Sequence, residues 1–140
     1  MVEVRQDYAA LGLSLKAHPI AFLRQRLQVM QIVPCRVLTD ESACPNGCRI
    51  AVAGLVLIRQ QPGTASGIVF MTIEDETGVA NLIVRPRVFE RDRKAARHGV
   101  AVAVAGRVER QGRVVHVMAH QFTDISRSLD DLASRSRDFH

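Results

Sequence analysis

Three acidic side chains, Glu74, Asp75 and Glu76, stand side by side in the stretch GIVFMTIEDETGVANLIV. Carboxylates between apolar runs can hold metal ions or act as a catalytic pair. On a strand, however, Glu74 and Asp75 point to opposite faces, and Glu76 falls in the following turn. A two-metal site instead needs carboxylates that converge from different elements around ions about 4 Å apart. We therefore predict that Asp75 and Glu76 end a strand and make hydrogen bonds in a turn.

Histidine and cysteine side chains are the other candidates for metal chemistry. His116 and His120 share one strand face, but four residues of strand separate them by roughly 13 Å, which is too far for one zinc ion. Cys44 and Cys48 in CPNGC resemble a metal knuckle, with Cys35 nearby. A structural zinc ion normally takes four ligands in two close pairs, and the fourth ligand is missing. The sequence predicts no metal ligands, no cofactor and no catalytic residues.

These residues lie in a chain whose hydrophobic period changes at residue 49. Residues 1–48 are predicted to be a helical lead-in and a connector: HPIAFLRQRLQVM predicts a helix that begins at Pro19. The connector VPCRVLTDESACPNGC predicts a loop with room for one short strand. Residues 124–140 predict a short helical or disordered tail, with Leu129 and Leu132 on one apolar turn.

Residues 49–123 have the period of two that is typical of strands. The predicted strands cover 49–59, 68–75, 79–84, 100–110 and 113–122. A short helix over 85–99 lies between the third and fourth strands, and Gly54 is typical of a strand that must bend sharply. Other five-stranded barrels exist, but this helix position favours the OB-fold, a mainly β barrel that binds oligonucleotides in many proteins.

The net charge of +5 lies wholly in the middle segment, because residues 49–123 carry eleven basic and six acidic side chains. Of the 19 basic residues 17 are arginine, which suits bidentate phosphate contacts and stacking on bases. No uncharged apolar run reaches the roughly 18 residues of a membrane span, and MVEVRQDY lacks a signal-peptide pattern. We expect a cytoplasmic protein that does not contact a membrane.

A binding surface is predicted from strand alternation. If Val69, Met71 and Ile73 fill the barrel, Phe70 and Thr72 face outward. On the fourth strand, the positions expected inside are Val100, Val102 and Val104, and those expected outside are Ala101, Ala103, Ala105 and Arg107.

The outward positions would form a floor of small residues beside Phe70. The arginines that would border it are Arg59, Arg85, Arg107, Arg110 and Arg113. Such a surface suits a single nucleic-acid strand, whose bases stack on Phe70 while its phosphates contact the arginines. The alternative is that Phe70 lies in the core or beneath the N-terminal helix.

The stretch AVAGLVLIRQQPGTASGIVFMTIEDETGVANLIVRPRVFER closely resembles the OB domain near the C-terminus of the error-prone bacterial C-family (DnaE-type) DNA polymerases. YAALGLSLKAHPIAFLR resembles the segment that leads into that domain, and SRSRDFH resembles the extreme C-terminus of the family. GIVFMTIEDETG is also similar to the anticodon-binding OB domains of class II aminoacyl-tRNA synthetases. In those domains a phenylalanine at the position of Phe70 stacks on a base.

The resemblance to error-prone polymerases implies a role in damage-tolerant, translesion DNA synthesis near the single-stranded template. The implied partners are single-stranded DNA, the accessory mutagenesis protein and, through it, the sliding clamp. The polymerase palm, thumb and fingers have no counterpart in this sequence, so we expect no enzyme activity from this chain on its own. Separately, we expect a monomer. Where the family usually has tryptophan, this sequence has Arg85. Alternatively the module mainly docks the accessory protein, or serves an enzyme whose other domains are supplied separately.

Overall fold

The structure, a computed structural model, describes residues 18–61 and 66–131 of the 140-residue chain. Five strands form a closed barrel in the order β1-β2-β3-β5-β4. They are β1 (Arg49–Gln60), β2 (Val69–Glu74), β3 (Val79–Val84), β4 (Ala101–Gln111) and β5 (Val114–Asp124). β3 and β5 pair in parallel, and the other neighbouring strands pair antiparallel. The predicted OB-fold architecture is confirmed.

Short helices flank the barrel and interrupt it between β3 and β4. They are the 3-10 helices η1 (Pro19–Leu23) and η2 (Cys35–Thr39), and the α-helices α1 (Arg24–Val29), α2 (Pro86–Arg91) and α3 (Arg93–His98). Residues 126–131 are also helical. Within the described ranges no helix is long and apolar enough to span a membrane.

Two of these helices differ from the sequence prediction. The connector holds η2 in place of a short strand, because the backbone N–H groups of Cys35 and Arg36 bond to the side chains of Asp75 and Thr77. The helix predicted between β3 and β4 is divided into α2 and α3 at Asp92. The backbone there leaves the α-helical region, with φ −105° and ψ 30°.

The barrel interior is mainly aliphatic, with Phe122 among its buried side chains, and follows the predicted alternation. Val69, Met71 and Ile73 on β2 are buried, as are Val102 and Val104 on β4. Full burial of one such side chain contributes about 1.5–3 kcal/mol. The prediction for Val100 is wrong: this residue precedes β4, and 54% of its surface is exposed.

A second apolar cluster lies outside the barrel, where the N-terminal helices pack on β1 and β4. Its members are Ile20, Leu23, Leu27, Ile32, Ala53, Leu55, Ala101, Ala103, Ile125 and Leu129. The predicted exposed floor is therefore wrong at Ala101 and Ala103, which are 0% and 7% exposed, whereas Ala105 is exposed. The small side chains face outward as predicted, but they let helices approach the sheet. Of the predicted tail, residues 124–131 are described, and residues 132–140, with Leu132, lie outside the described residues.

Candidate nucleic-acid interface

The carboxylate of Asp75 organises the β2–β3 turn. Its Oδ1 accepts hydrogen bonds from the backbone N–H and the hydroxyl of Thr77, both at 2.7 Å, and from the N–H of Gly78 at 3.1 Å. Its Oδ2 accepts from the N–H of Cys35 at 2.8 Å and from Arg24 Nη2 at 3.0 Å. The predicted turn hydrogen bonds of Asp75 are confirmed, and the same carboxylate also fastens the N-terminal segment to the barrel.

The other two acids contact the N-terminal segment as well. Glu76 accepts hydrogen bonds from Arg24 Nε at 2.8 Å and Nη2 at 2.7 Å, so an ion pair replaces the turn bond predicted for its side chain. His18 Nε2 lies 3.2 Å from Glu74 Oε1. The sequence analysis did not predict that Arg24 and His18 contact these acids, because local patterns do not indicate a partner about fifty residues away.

Burial, charges and hydrogen bonds within this cluster shift the pKa values of Asp75, Glu76 and His18. Burial alone would raise the pKa of Asp75, but hydrogen bonds from Cys35 and Thr77 outweigh it and leave the pKa below its usual value. The hydrogen bond from Arg24 lowers the pKa of Glu76. Burial lowers the pKa of His18, although Glu74 opposes that shift.

These shifts predict that stability falls as the pH is lowered. An unfolded histidine takes up its proton near pH 6.5, above the lowered pKa of folded His18, and unfolded carboxyl groups do so near pH 4, above those of folded Asp75 and Glu76. The unfolded chain therefore binds more protons below about pH 6.5, and more steeply below about pH 4.5. Urea titrations at pH 7.5, 5.5 and 4 should give a falling free energy of unfolding. An unchanged free energy of unfolding over this range would contradict the contacts described for Asp75, Glu76 and His18.

The cysteines form a thiol pair and a separate buried thiol. Cys44 Sγ and Cys48 Sγ lie 3.4 Å apart, and burial raises the pKa of the Cys44 thiol to about 11. Burial also raises the pKa of Cys35, whose thiol donates to the carbonyl of Ala53. Within residues 18–61 and 66–131, no group of three or more His, Cys, Asp and Glu side chains could hold a metal ion.

An exposed apolar row crosses three strands of the outer barrel surface. Phe70 on β2 is paired with Ile83 on β3, and Ile83 with Met118 on β5. Phe70 faces outward as predicted and is 40% exposed, while Ile83 and Met118 are half-buried. We call these three residues the Phe70 row. Alternation alone could have placed Ile83 on the outer face, but only the parallel pairing of β3 and β5 brings Met118 beside it.

A polar pair borders the Phe70 row on one side. Thr72 lies two residues after Phe70 on β2, and its hydroxyl donates a 3.0 Å hydrogen bond to Asn81 Oδ1 on β3. This contact joins the two side chains next to the row. Thr72 lies on the outer face, as the sequence predicts. Asn81 beside it was not predicted from the sequence.

Two of the predicted arginines lie near the Phe70 row. Arg107 on β4 is paired with Met118 and is exposed. Arg85 follows β3 directly and lines a groove of about 700 Å³ together with Ile68 and His120. Arg113 is exposed in the β4–β5 turn, five residues from Met118 in sequence and more than roughly 13 Å from it along β5. The structure thus places Arg85 and Arg107 near the row, and Arg113 away from it.

The remaining two predicted arginines bond to backbone carbonyls. Arg59 Nε donates to the carbonyl of Ala96 at 2.7 Å, and its Nη2 donates to that of Gly99, so the side chain satisfies carbonyls at the end of α3. Arg110 Nε and Nη2 donate to the carbonyls of Cys44 and Leu38, each at 2.7 Å, and thereby hold the connector. These guanidinium groups are engaged in the fold, so we leave both out of the interface.

Comparison with known proteins agrees with this geometry. Residues 50–125 match the family of OB-fold nucleic acid binding domains. The chain belongs to this family. The OB domain and its flanking segments are 46% identical over 136 residues to error-prone DNA polymerase 3 of Agrobacterium fabrum, an alignment that covers 97% of this chain and 12% of the polymerase. The error-prone DNA polymerase of Caulobacter vibrioides is 44% identical over 156 residues, with 99% of this chain and 14% of that polymerase covered.

The resemblance to error-prone polymerases is thereby confirmed, and the chain spans only a small part of the relatives it matches. The OB domain is also similar in structure to asparaginyl-tRNA synthetase from Pyrococcus horikoshii. The TM-score is 0.56 at 25% identity, with 69% of this chain and 22% of that chain covered. This similarity agrees with the likeness of GIVFMTIEDETG to synthetase OB domains.

Proposed function

We propose that this OB domain binds single-stranded DNA, weakly and without strong sequence preference, as a module of an error-prone polymerase in translesion synthesis. The observation that carries the proposal is the exposed Phe70 row with Arg85 and Arg107 beside it. The polymerase context, and DNA rather than RNA as the ligand, rest on the similarity to error-prone DNA polymerases.

The chemistry of the row suits a flexible strand. Every base has an apolar face that can stack on the ring of Phe70 and lie along Ile83 and Met118, so recognition does not depend on the base. The guanidinium groups of Arg85 and Arg107 can bind phosphate oxygens through paired hydrogen bonds. Within residues 18–61 and 66–131 neither arginine forms an ion pair with an acidic side chain, so both charges remain available to a phosphate.

We assign no nucleotidyl transfer to this chain. Asp75 and Glu76 bond to Arg24 and to groups of the turn, so neither carboxylate is placed to bind a catalytic metal ion. In this proposal the chain supplies contacts to the template, and synthesis belongs to other polymerase domains.

Phe70→Ala is expected to weaken binding of a short single strand by about 1–3 kcal/mol, which is about 5- to 150-fold in Kd, because one stacking platform is lost. Fluorescence anisotropy with a labelled oligothymidine at two salt concentrations measures this. The matched control is Phe22→Ala, because Phe22 is 47% exposed but lies on η1, away from the row. It should leave affinity unchanged.

Two outcomes would count against this function. An unchanged affinity in a folded Phe70→Ala variant would remove Phe70 as a platform. Wild-type affinity that does not fall as salt rises would mean that phosphate contacts contribute nothing.

A second candidate function is docking of a protein partner, and an exposed apolar surface on the N-terminal helices favours it. Phe22, Val29 and Met30 are 47%, 85% and 59% exposed. The partner suggested by the similarity to error-prone polymerases is the accessory mutagenesis protein and, through it, the sliding clamp. Association with that protein should then be lost in Phe22→Ala and kept in Phe70→Ala, the reverse of the pattern for DNA.

A further inference from the structure

A basic groove lies on the outer surface of β1, β4 and β5, beyond the Phe70 row. It has a volume of about 750 Å³, and the side chains that matter for its chemistry are Gln31, Arg49, Arg91 and His120. Its floor includes Ala51 and Ala105, which pair across β1 and β4. These methyl groups leave room for a ligand to approach the sheet, on the part of the outer face that the N-terminal helices leave exposed.

Two arginines of like charge stand opposite each other at one side of this groove. Arg49 on β1 is paired directly with Arg107 on β4, and both are exposed. Directly opposed cross-strand residues have Cβ atoms about 4.5–5.5 Å apart, and like charges there destabilise the pair. In the part of the chain that the structure describes, neither arginine has an acidic partner. An anion held between the two guanidinium groups would remove this repulsion.

The other charges of the groove do not neutralise the pair. Arg91 donates to both oxygens of Asp92, at 3.0 and 2.9 Å, and to the carbonyl of His120. Asp92 also accepts a 2.9 Å hydrogen bond from the N–H of Phe122. The carboxylate of Asp92 is therefore already compensated within the wall of the groove, and the groove keeps the positive charge of Arg49, with that of Arg107 directly beside it.

The groove continues the line of the Phe70 row around the barrel. Strand pairing runs from Phe70 through Ile83 and Met118 to Arg107, and from Arg107 to Arg49. With neighbouring strands roughly 4.8 Å apart, Arg107 lies roughly 14 Å and Arg49 roughly 19 Å from Phe70 along the surface. A strand that stacks on Phe70 can therefore reach the groove only if it extends several nucleotides beyond the stacked base.

We propose that Arg49 and Arg107 form a phosphate-binding site for the nucleic-acid backbone as it leaves the Phe70 row. The inference rests on the proposed single-strand binding and adds a second part to that site. Its ligand is a phosphodiester held between two guanidinium groups, with Gln31 and His120 placed to contact sugar and phosphate oxygens. The expected binding path runs across β2, β3, β5 and β4 to β1.

The test compares labelled oligothymidines of about four and about twelve nucleotides, a range that OB domains commonly cover. The double variant Arg49→Gln, Arg107→Gln should bind the longer strand about 10- to 25-fold more weakly near 0.1 M salt, and its salt slope should fall by roughly 1.4, at about 0.7 for each lost phosphate contact. For the shorter strand the loss should be only about 3- to 5-fold, with a fall of roughly 0.7 in the salt slope, because that strand can reach Arg107 beside the Phe70 row but ends before Arg49.

The control removes the same charge elsewhere: Arg26→Gln with Arg36→Gln changes two exposed arginines of the N-terminal segment. It should leave the salt slope for the longer strand unchanged. The groove variant should also be at least as resistant to urea as wild type, because it removes a pair of opposed like charges. A lower stability would mean that the arginines support the fold and would overturn the proposal.

Failure of this inference and failure of the proposed function give different results. Suppose that Phe70→Ala weakens binding of both strands, but the groove variant weakens binding of neither or of both equally. The path then does not cross the groove, and the proposal that the Phe70 row binds single-stranded DNA is unaffected. If Phe70→Ala weakens neither strand, single-strand binding on the row is wrong, and the path proposed here falls with it.

Discussion

Asp75→Asn is expected to lower the free energy of unfolding by about 3–5 kcal/mol, the range seen when one partner of a buried ion pair is removed. The side chain of Asp75 is fully buried and receives hydrogen bonds on both oxygens. An amide has one oxygen, so its NH2 group must face either the donors of Thr77 and Gly78 or those of Cys35 and Arg24. Urea denaturation monitored by circular dichroism measures the loss.

Glu109→Gln is the matched control for this prediction. Glu109 is an exposed acid on β4 of the same barrel, and its replacement should change stability by no more than about 0.5 kcal/mol. A second variant, Arg24→Met, removes the partner of Asp75 and Glu76 and should also destabilise. If Asp75→Asn loses less than about 1 kcal/mol, the carboxylate does not hold the N-terminal segment on the barrel.

Gly54→Ala is expected to cost about 3 kcal/mol, the upper part of the range for overpacked positions. Near Gly54, β1 changes its partner from β4 to β2, since Leu55 is paired with both Ala101 and Glu74. A Cβ atom at Gly54 would lie 2.7 Å from both the backbone nitrogen and the backbone oxygen of Glu74. These atoms belong to a paired strand, so the methyl group can fit only if β1 and β2 separate locally.

The comparison for Gly54→Ala is Ala105→Val, which adds two methyl groups at an exposed, outward position of β4 and should be nearly neutral. Thermal unfolding of both variants distinguishes a steric effect from a general sensitivity of the sheet. A Gly54→Ala protein as stable as wild type would show that the β1–β2 contact can open without cost.

The position of Gly54 also bears on the acidic cluster. The clash would displace the end of β2, where Glu74 faces His18 and Asp75 begins the turn. The end of β2 therefore contributes both to the barrel and to the attachment of the N-terminal helices. Asp75→Asn tests this attachment through side-chain hydrogen bonds, and Gly54→Ala tests it through the backbone of β2. The second apolar cluster, with Ile20, Leu23 and Leu27 against Ala101 and Ala103, provides the apolar part of the same attachment.

Local patterns were enough to predict much of the fold. Alternation over β2 places Phe70 outside and Met71 inside, because successive side chains of a strand point to opposite faces. The turn at Asp75 follows from residue types that favour turns. The number of strands and the helical interruption after β3 then indicate the OB-fold.

Pairing and packing between distant segments decided the rest. Strand register brings Met118 beside Ile83 and sets Arg107 against Arg49, and no local pattern predicts which strands will be neighbours. Packing covers Ala101 with the N-terminal helices, although its outward direction was predictable.

The arginines show most clearly which properties follow from the sequence and which follow from tertiary packing. The sequence by itself determined that the excess charge lies in the barrel segment and is carried almost entirely by guanidinium groups. Only the tertiary structure decided that Arg59 and Arg110 are bound to carbonyls while Arg85 and Arg107 remain exposed. The physical reason is that a side chain's direction depends on its own strand, whereas its partners depend on which segments pack beside it.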